Sequence, residues 1–297
     1  MAKENNVHTA SGSPENLPLV SVVMPCYNDG ATLPESIASV RAQTYPRVEL
    51  IVVDDGSDDP ETVRVLDGLR GEDLTLLRND HKGPSVARNT AIRAARGTYI
   101  LPVDSDDLID PVYIQRAVEK MEEDPSLGIV YCHAVCFGEK TGPWDIPDYS
   151  MKHILLDNCI FVTALFRRED WEKAGGFCED FRAGMEDYDF WLSILGMGRE
   201  VYQFEEAWFH YRVKPKSRTT SFQDLNQYGA LQETYERIYY RHRDFFREHM
   251  DEYCTQLRWH LNDQLAQNKV GPKAYYVHRL RDRHPKLAAI LEKLIKP

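Results

Sequence analysis

The chain has 297 residues, 42% of them hydrophobic and 28% charged, and a net charge of −11. That length holds one large α/β domain or two small ones, each able to bury a core. The acidic balance argues against a nucleic-acid partner, which needs clustered Lys and Arg, but it suits a nucleotide held through a cation.

Residues 1–18 are polar, lack the apolar stretch of a signal peptide, and are expected to form a disordered head. Residues 19–24 read as a buried strand that Pro25 ends, before a polar turn at Tyr27-Asn28-Asp29-Gly30. Helical spacing follows at Leu33, Ile37 and Val40, and a second buried strand over 48–53 runs into Asp54-Asp55-Gly56-Ser57. Next come a helix over 61–69, a strand over 74–77 and a helix over 84–95. A strand over 98–103 ends at Asp104-Ser105-Asp106-Asp107, and Pro111 is placed as the first residue of a helix reaching Glu123. Such alternation is the pattern of a mostly parallel α/β sheet, whose ligands sit at the carboxyl ends of the strands. Both acidic clusters fall at such ends.

Further on the pattern is less regular, with strands over 129–131, 161–166, 201–204 and 207–213. Helices are expected over 171–176 and 186–195, the second with Phe190, Trp191 and Ile194 on one face. From Phe222 the chain reads as a helical extension, 222–297, broken at Gly271-Pro272 and Pro285. Its segment 235–247 mixes basic and aromatic residues. Docking on an anionic membrane surface is one reading; packing against the rest of the protein, or a second subunit, is the one composition favours. The six cysteines are scattered and read as reduced thiols, and no apolar run is long enough to span a bilayer. Together these point to a cytoplasmic protein, with contact at the inner face of a membrane as an option.

Three clusters carry chemistry. Carboxylates two apart at a strand end, as in Asp104 and Asp106, can face one hard cation, Mn²⁺ or Mg²⁺. An acidic turn capping a helix is the plain alternative. Three aspartates with no basic residue beside them in the chain tilt the balance towards a metal. Asp55 could accept a hydrogen bond from a base or a ribose, although by itself the segment reads as an Asx-turn. Gly184-Met185-Glu186-Asp187 opens a helix whose acidic first turn is either structural or supplies a general base.

The segments SVVMPCYNDGATLPESIASVRAQTYP, VELIVVDDGSDD, GPSVARNTAIRAARGTYILPVDSDDL and KAGGFCEDFRAGMEDYDFWLSIL, in that order, resemble glycosyltransferase family 2 over residues 19–221. The resemblance implies a GT-A fold and an inverting transfer from a nucleotide-diphosphate sugar, in surface polysaccharide or glycolipid synthesis. It implies that Asp55 reads the base, and that Pro25, Tyr27 and Asn28 lie against the nucleotide. Arg88 would sit beside the donor, and Asp104 and Asp106 would form the DxD pair that holds Mn²⁺ or Mg²⁺. Asp187 would be the catalytic base, while Gly176, Phe177 and Glu186 would border the acceptor.

A histidine common in relatives after Tyr211-Arg212-Val213 is replaced by Lys214. That makes Arg212, Lys214 and Ser217 candidates for the diphosphate, and His210 a packed or edge histidine. The QxxRW segment of processive synthases is absent, which favours addition of one sugar. UDP is the favoured donor nucleotide because an aspartate pairs with the N3–H of uracil, and a glycan or lipid-linked glycan is the expected acceptor. A nucleotidyltransferase and a catalytically silent nucleotide-sugar-binding protein remain as alternatives.

Overall fold

The computed structural model describes residues 16–69, 74–181, 184–215 and 228–270. Ser217, the helix breakers beyond residue 270 and residues 1–15 of the expected head lie outside them. Leu17 and Pro18, at the end of that head, are tied down: the Arg47 guanidinium and the Tyr45 hydroxyl donate to their carbonyls at 2.8 and 2.6 Å.

Two compact units divide the chain. The first comprises residues 1–149 and 157–243, the second 150–156 and 244–297. In the first, β1 (Val20–Cys26), β2 (Val48–Asp54), β3 (Leu74–Arg78) and β4 (Tyr99–Pro102) alternate with α1 (Leu33–Arg41), α2 (Pro60–Gly68) and α3 (Pro84–Ala94). There follow β5 (Leu108–Ile109), α4 (Tyr113–Glu123), β6 (Leu127–Gly138), β7 (Gly142–Pro143) and, after α5 (Met151–Ile154) of the second unit, β8 (Leu165–Arg167). The chain then forms α6 (Arg168–Ala174), α7 (Glu186–Gly196), β9 (Glu200–Val213) and α8 (Tyr228–Arg241). The second unit holds α5, most of α9 (Arg243–Glu248) and α10 (Met250–Val270); Ile154, Leu155, Phe245 and Phe246 are buried in it.

The strands form one mixed sheet in the order β3-β2-β1-β4-β8-β6-β9-β5, with β7 beside β6. β3, β2, β1 and β4 run parallel, so their carboxyl ends share one edge. β1 pairs on both sides, and Val20, Val22, Val23 and Met24 have no exposed surface, which is why an uninterrupted apolar run suits it. α3 covers this half through Ala87, Ala91 and Ile92, all fully buried. After β1 the chain passes so close to α2 that a Cβ on Gly30 would lie 2.5 Å from the Thr62 Cα, so only glycine fits.

Four local expectations change, the first being the strand expected over 161–166, which forms only as β8, Leu165–Arg167. Pro25 continues β1, because its missing N–H does not prevent pairing up to Cys26 with Asp54. Pro111 lies in the turn before α4, which begins at Tyr113. The two strands expected over 201–213 are one, β9: register shifts opposite Tyr131 and His133 absorb the polar Glu205-Glu206 step as a bulge.

Candidate active site

Because β1 to β4 are parallel, four loops meet at one sheet edge: Tyr27–Gly30, Asp55–Asp59, Asn79–Gly83 and Asp104–Asp107. Asp55 is 4% exposed, and its Oδ1 and Oδ2 accept the Lys82 and Gly83 backbone N–H groups at 3.0 and 2.7 Å. It thereby draws the 79–83 loop over the end of β2. His81, at φ 50°, lies against Tyr27 with ring centroids 4.1 Å apart. Both rings are open to solvent and form a shelf beside Asp55. Asn28, at φ 55°, accepts the N–H groups of Asp58 and Asp59 through its Oδ1, which fixes the turn that presents Tyr27. Pro25 is half-buried in β1.

The acidic turn after β4 is held from three directions. Arg88, 1% exposed on α3, donates from Nη2 to Asp104 Oδ1 at 2.7 Å and from Nη1 to Glu186 Oε1 at 2.8 Å. Burial opposes its charge, but the two carboxylates outweigh that and raise its pKa. β5 pairs with β9 through Leu108–His210 and Ile109–Phe209, which brings the end of β9 onto the turn. There the Arg212 amide donates to Asp107 Oδ1 at 2.8 Å, and Arg212 Nε to the Asp106 carbonyl at 2.7 Å. The Arg212 guanidinium also lies over the Phe137 ring at 4.3 Å and reaches Glu35. Lys214 Nζ bridges Asp29 Oδ1 at 2.5 Å and Asp106 Oδ2 at 2.8 Å. Burial and then the adjacent carboxylates push Asp106 up, against the pull of Lys214, and push the deeper Asp107 well above the usual range.

The expectation that this turn lacks a basic partner is therefore corrected. It holds along the chain, but the fold supplies Arg88 and Lys214 from segments that sequence distance separates from it. His210 is paired with Asp110 at 2.9 Å.

α7 starts after two positive-φ residues, Gly184 and Met185, which turn the chain sharply. Its first turn separates two acidic neighbours. Glu186, 2% exposed, is buried onto Arg88, whereas Asp187 is partly exposed. Beside Asp187 stands Tyr235 of α8, whose hydroxyl donates to Asp157 at 2.7 Å; burial, then Asp157 and Asp187, raise its pKa. Asp189 is 1% exposed and accepts from Arg241 and His242, both at 2.8 Å. Arg237 reaches Asp180 and lies 5.2 Å from the Phe181 ring centroid, so the basic face of α8 contacts its own unit.

Gly176 and Phe177 face inward. Phe177 is 1% exposed, and its backbone N–H and carbonyl are both bonded to the Asn89 amide of α3. A Cβ on Gly176 would meet Asn89 Oδ1 at 2.8 Å. Both residues therefore dock α6 on α3. Of the expected site residues, Asp55, Tyr27, Asn28, Arg88, Asp104, Asp106, Arg212 and Lys214 meet at the parallel-strand edge, and Glu186 is tied to it through Arg88. Asp29, His81, Asp157 and Tyr235 escaped the sequence reading. Asp29 alone carried a signal, as an acid in a strand-end turn.

The profile described as Glycosyl transferase family 2 matches residues 21–189, more than half of the chain and every strand-end loop above. The chain belongs to glycosyl transferase family 2. It is 30% identical over 250 residues to a glycosyltransferase of Haemophilus influenzae, covering 81% of this chain and 80% of that one. It is 34% identical over 180 residues to WfgD of Escherichia coli, a UDP-Glc:α-D-GlcNAc-diphosphoundecaprenol β-1,3-glucosyltransferase, covering 60% of this chain and 70% of that one. Among solved structures, the mannosyltransferase PcManGT from Pyrobaculum calidifontis, in complex with GDP-Man and Mn²⁺, superposes with TM-score 0.54 and 25% identity over 70% of this chain. The chain spans 60% of the length of PcManGT and 24% of that of a Sinorhizobium fredii relative, 34% identical over 216 residues. The sheet, with its helical flanks, is the GT-A fold of the family. No described helix is long and apolar enough to cross a membrane.

Proposed function

We propose that the protein transfers one sugar from a nucleotide-diphosphate donor, a UDP-sugar first, to a hydroxyl of a glycan or lipid-linked glycan, with inversion. The observation that carries this reading is the convergence of Asp55, the Tyr27–His81 shelf and the Asp104–Asp107 turn at one edge of parallel strands. The shelf suits the face of a base, and the remaining lone pairs of Asp55 suit its N3–H. WfgD uses a UDP-sugar and a diphosphate-linked lipid acceptor, which makes that donor and acceptor class the first to test.

A divalent ion fits the acidic turn. Asp29 and Asp106 already hold one cation, the Lys214 ammonium, between two carboxylates, and oxygen-only donors suit Mg²⁺ or Mn²⁺. Among the described residues no group of three or more acidic, His or Cys side chains is arranged as a metal cage, so the donor's own phosphates and water would complete the shell. Asp106 would hold the ion, with Asp104 beside it, and the ion would neutralise the departing diphosphate. Arg88 keeps Asp104 oriented, while Arg212 and Lys214 supply positive charge at the same place. Asp187 takes the proton of the acceptor hydroxyl as its oxygen bonds to the anomeric carbon. The bond to the diphosphate breaks on the opposite face, and the configuration inverts.

The deciding experiment is transfer from a panel of UDP-, dTDP- and GDP-sugars to diphosphate-linked lipid and soluble glycan acceptors, with and without Mn²⁺ or Mg²⁺. Turnover of one donor, stimulated by metal and abolished in Asp106→Ala, is the expected result. Donor binding without turnover across every acceptor would sink the transferase reading.

Tyr27→Ala should weaken UDP binding by about 1–3 kcal/mol, the usual worth of a base stacked on an aromatic ring. Calorimetric titration with UDP measures it, and an unchanged affinity would remove the shelf from the nucleotide site.

A further inference from the structure

Lys214 is joined to the acidic turn in a way that its place in the chain did not suggest. Its Nζ sits between Asp29 Oδ1 and Asp106 Oδ2, at 2.5 and 2.8 Å, the only direct ion pair of either carboxylate among the described residues. Asp29 is anchored independently, since its Oδ2 accepts the Ser105 hydroxyl at 2.7 Å. That carboxylate therefore stays in position when the ammonium leaves. The Lys214 side chain is 28% exposed, which leaves its flexible stem a path towards solvent.

Charge makes the pairing necessary. Asp29, Asp104, Asp106 and Asp107 crowd into one strand-end site. Arg88 divides its charge between Asp104 and Glu186, and Arg212 divides its between this turn and Glu35. Without a further cation beside Asp106 and Asp29, like charges would face one another at short range in a partly desolvated place. The ammonium supplies that cation. It also stands on Oδ2 of the carboxylate through which Asp106 would hold a metal, so the ammonium and the ion compete for the same negative charge.

Building on the assignment of Asp106 to the ion, we propose that Lys214 is a displaceable internal cation. In the donor-free protein its ammonium fills the position beside Asp106 that Mn²⁺ or Mg²⁺ takes, and it must leave Asp29 and Asp106 before the ion binds. The charge released is free to move to the diphosphate, whose negative oxygens compensate the ammonium as the two aspartates did. Metal binding and nucleotide binding are then coupled through one lysine: the ion alone binds weakly, and the nucleotide rewards the lysine for leaving.

The test is Mn²⁺ binding to the full chain without nucleotide, read from the loss of the free aquo-ion signal in electron paramagnetic resonance. Lys214→Gln and Lys214→Met should bind Mn²⁺ at least about tenfold more tightly than wild type, because a competing positive charge is gone. Lys214→Arg should stay near wild type. Equal or weaker affinity in both neutral variants would overturn the exchange. A second measurement uses the unaltered protein, in case the variants fold poorly. Acetylation of Lys214, followed by mass spectrometry, should rise when saturating Mn²⁺ is added alone, as the ammonium leaves its two aspartates. Unchanged acetylation contradicts the proposal. Asp106→Asn separates this from the site assignment. If that variant binds Mn²⁺ as wild type does, the ion lies elsewhere. If it loses binding while Lys214→Gln gains none, only the exchange fails.

Discussion

Replacing Arg88 with methionine should lower the free energy of unfolding by about 3–5 kcal/mol, the usual cost of removing one partner from a buried ion pair. The loss should fall mainly on Glu186, whose side chain is 3% exposed and whose Oε1 is 2.8 Å from the guanidinium. Water reaches that carboxylate poorly, so it must stay charged without the guanidinium or take up a proton. Asp104, 33% exposed, can be rescued by solvent and contributes less. Lysine should not restore the loss, because the planar fork sends separate nitrogens to the two acids, Nη2 to Asp104 and Nη1 to Glu186, and a single ammonium nitrogen does not reproduce that geometry. Urea denaturation measures the effect. A loss below about 1 kcal/mol, the range of an exposed pair, would show that the bridge carries little of the stability. Adding Glu186→Gln to the methionine variant should recover part of the loss, because the stranded charge is gone.

Asp187→Asn should lower kcat by about 10²–10⁴-fold, the usual contribution of a general base. Asp187 stays partly exposed on the turn where Glu186 is buried, the property a base for an incoming acceptor needs. Donor affinity should remain, because the residues proposed to hold the nucleotide, Tyr27, Asp55, His81 and Asp104, lie on the loops after β1 to β4 and not on α7. Loss of UDP binding in step with turnover would move Asp187 from the reaction to the donor pocket. Glu186→Gln is the useful companion: its effect should appear first in stability, since its carboxylate faces Arg88.

Much of the catalytic half is legible locally. The uninterrupted apolar runs of β1 and β2 mark buried parallel strands, and the acids after β2 and β4 sit where such strands end. Leu33, Ile37 and Val40 give α1 its buried face, and all three are at most 3% exposed. Local reading weakens where pairing depends on distant segments. β9 looks like two strands because Glu205-Glu206 breaks its apolar rhythm, and only the bulge against β6 joins them. Phe177, expected at the acceptor side, is held by Asn89, a contact across 88 residues that no spacing encodes.

Sequence by itself therefore determined the order of strands and helices, the strand-end position of Asp55, Asp104 and Asp106, and the likeness to a glycosyltransferase family. These follow from side-chain period and turn chemistry within a few residues. Tertiary structure alone decided which charges compensate which. Arg88, which also holds Asp104, reaches Glu186 across 98 residues, and Lys214 reaches Asp29 across 185. Such pairs form because the parallel sheet gathers its loops at one edge and β5 carries the end of β9 onto the acidic turn. There, like charges in a poorly solvated space hold only when a cation from elsewhere in the chain is brought to them.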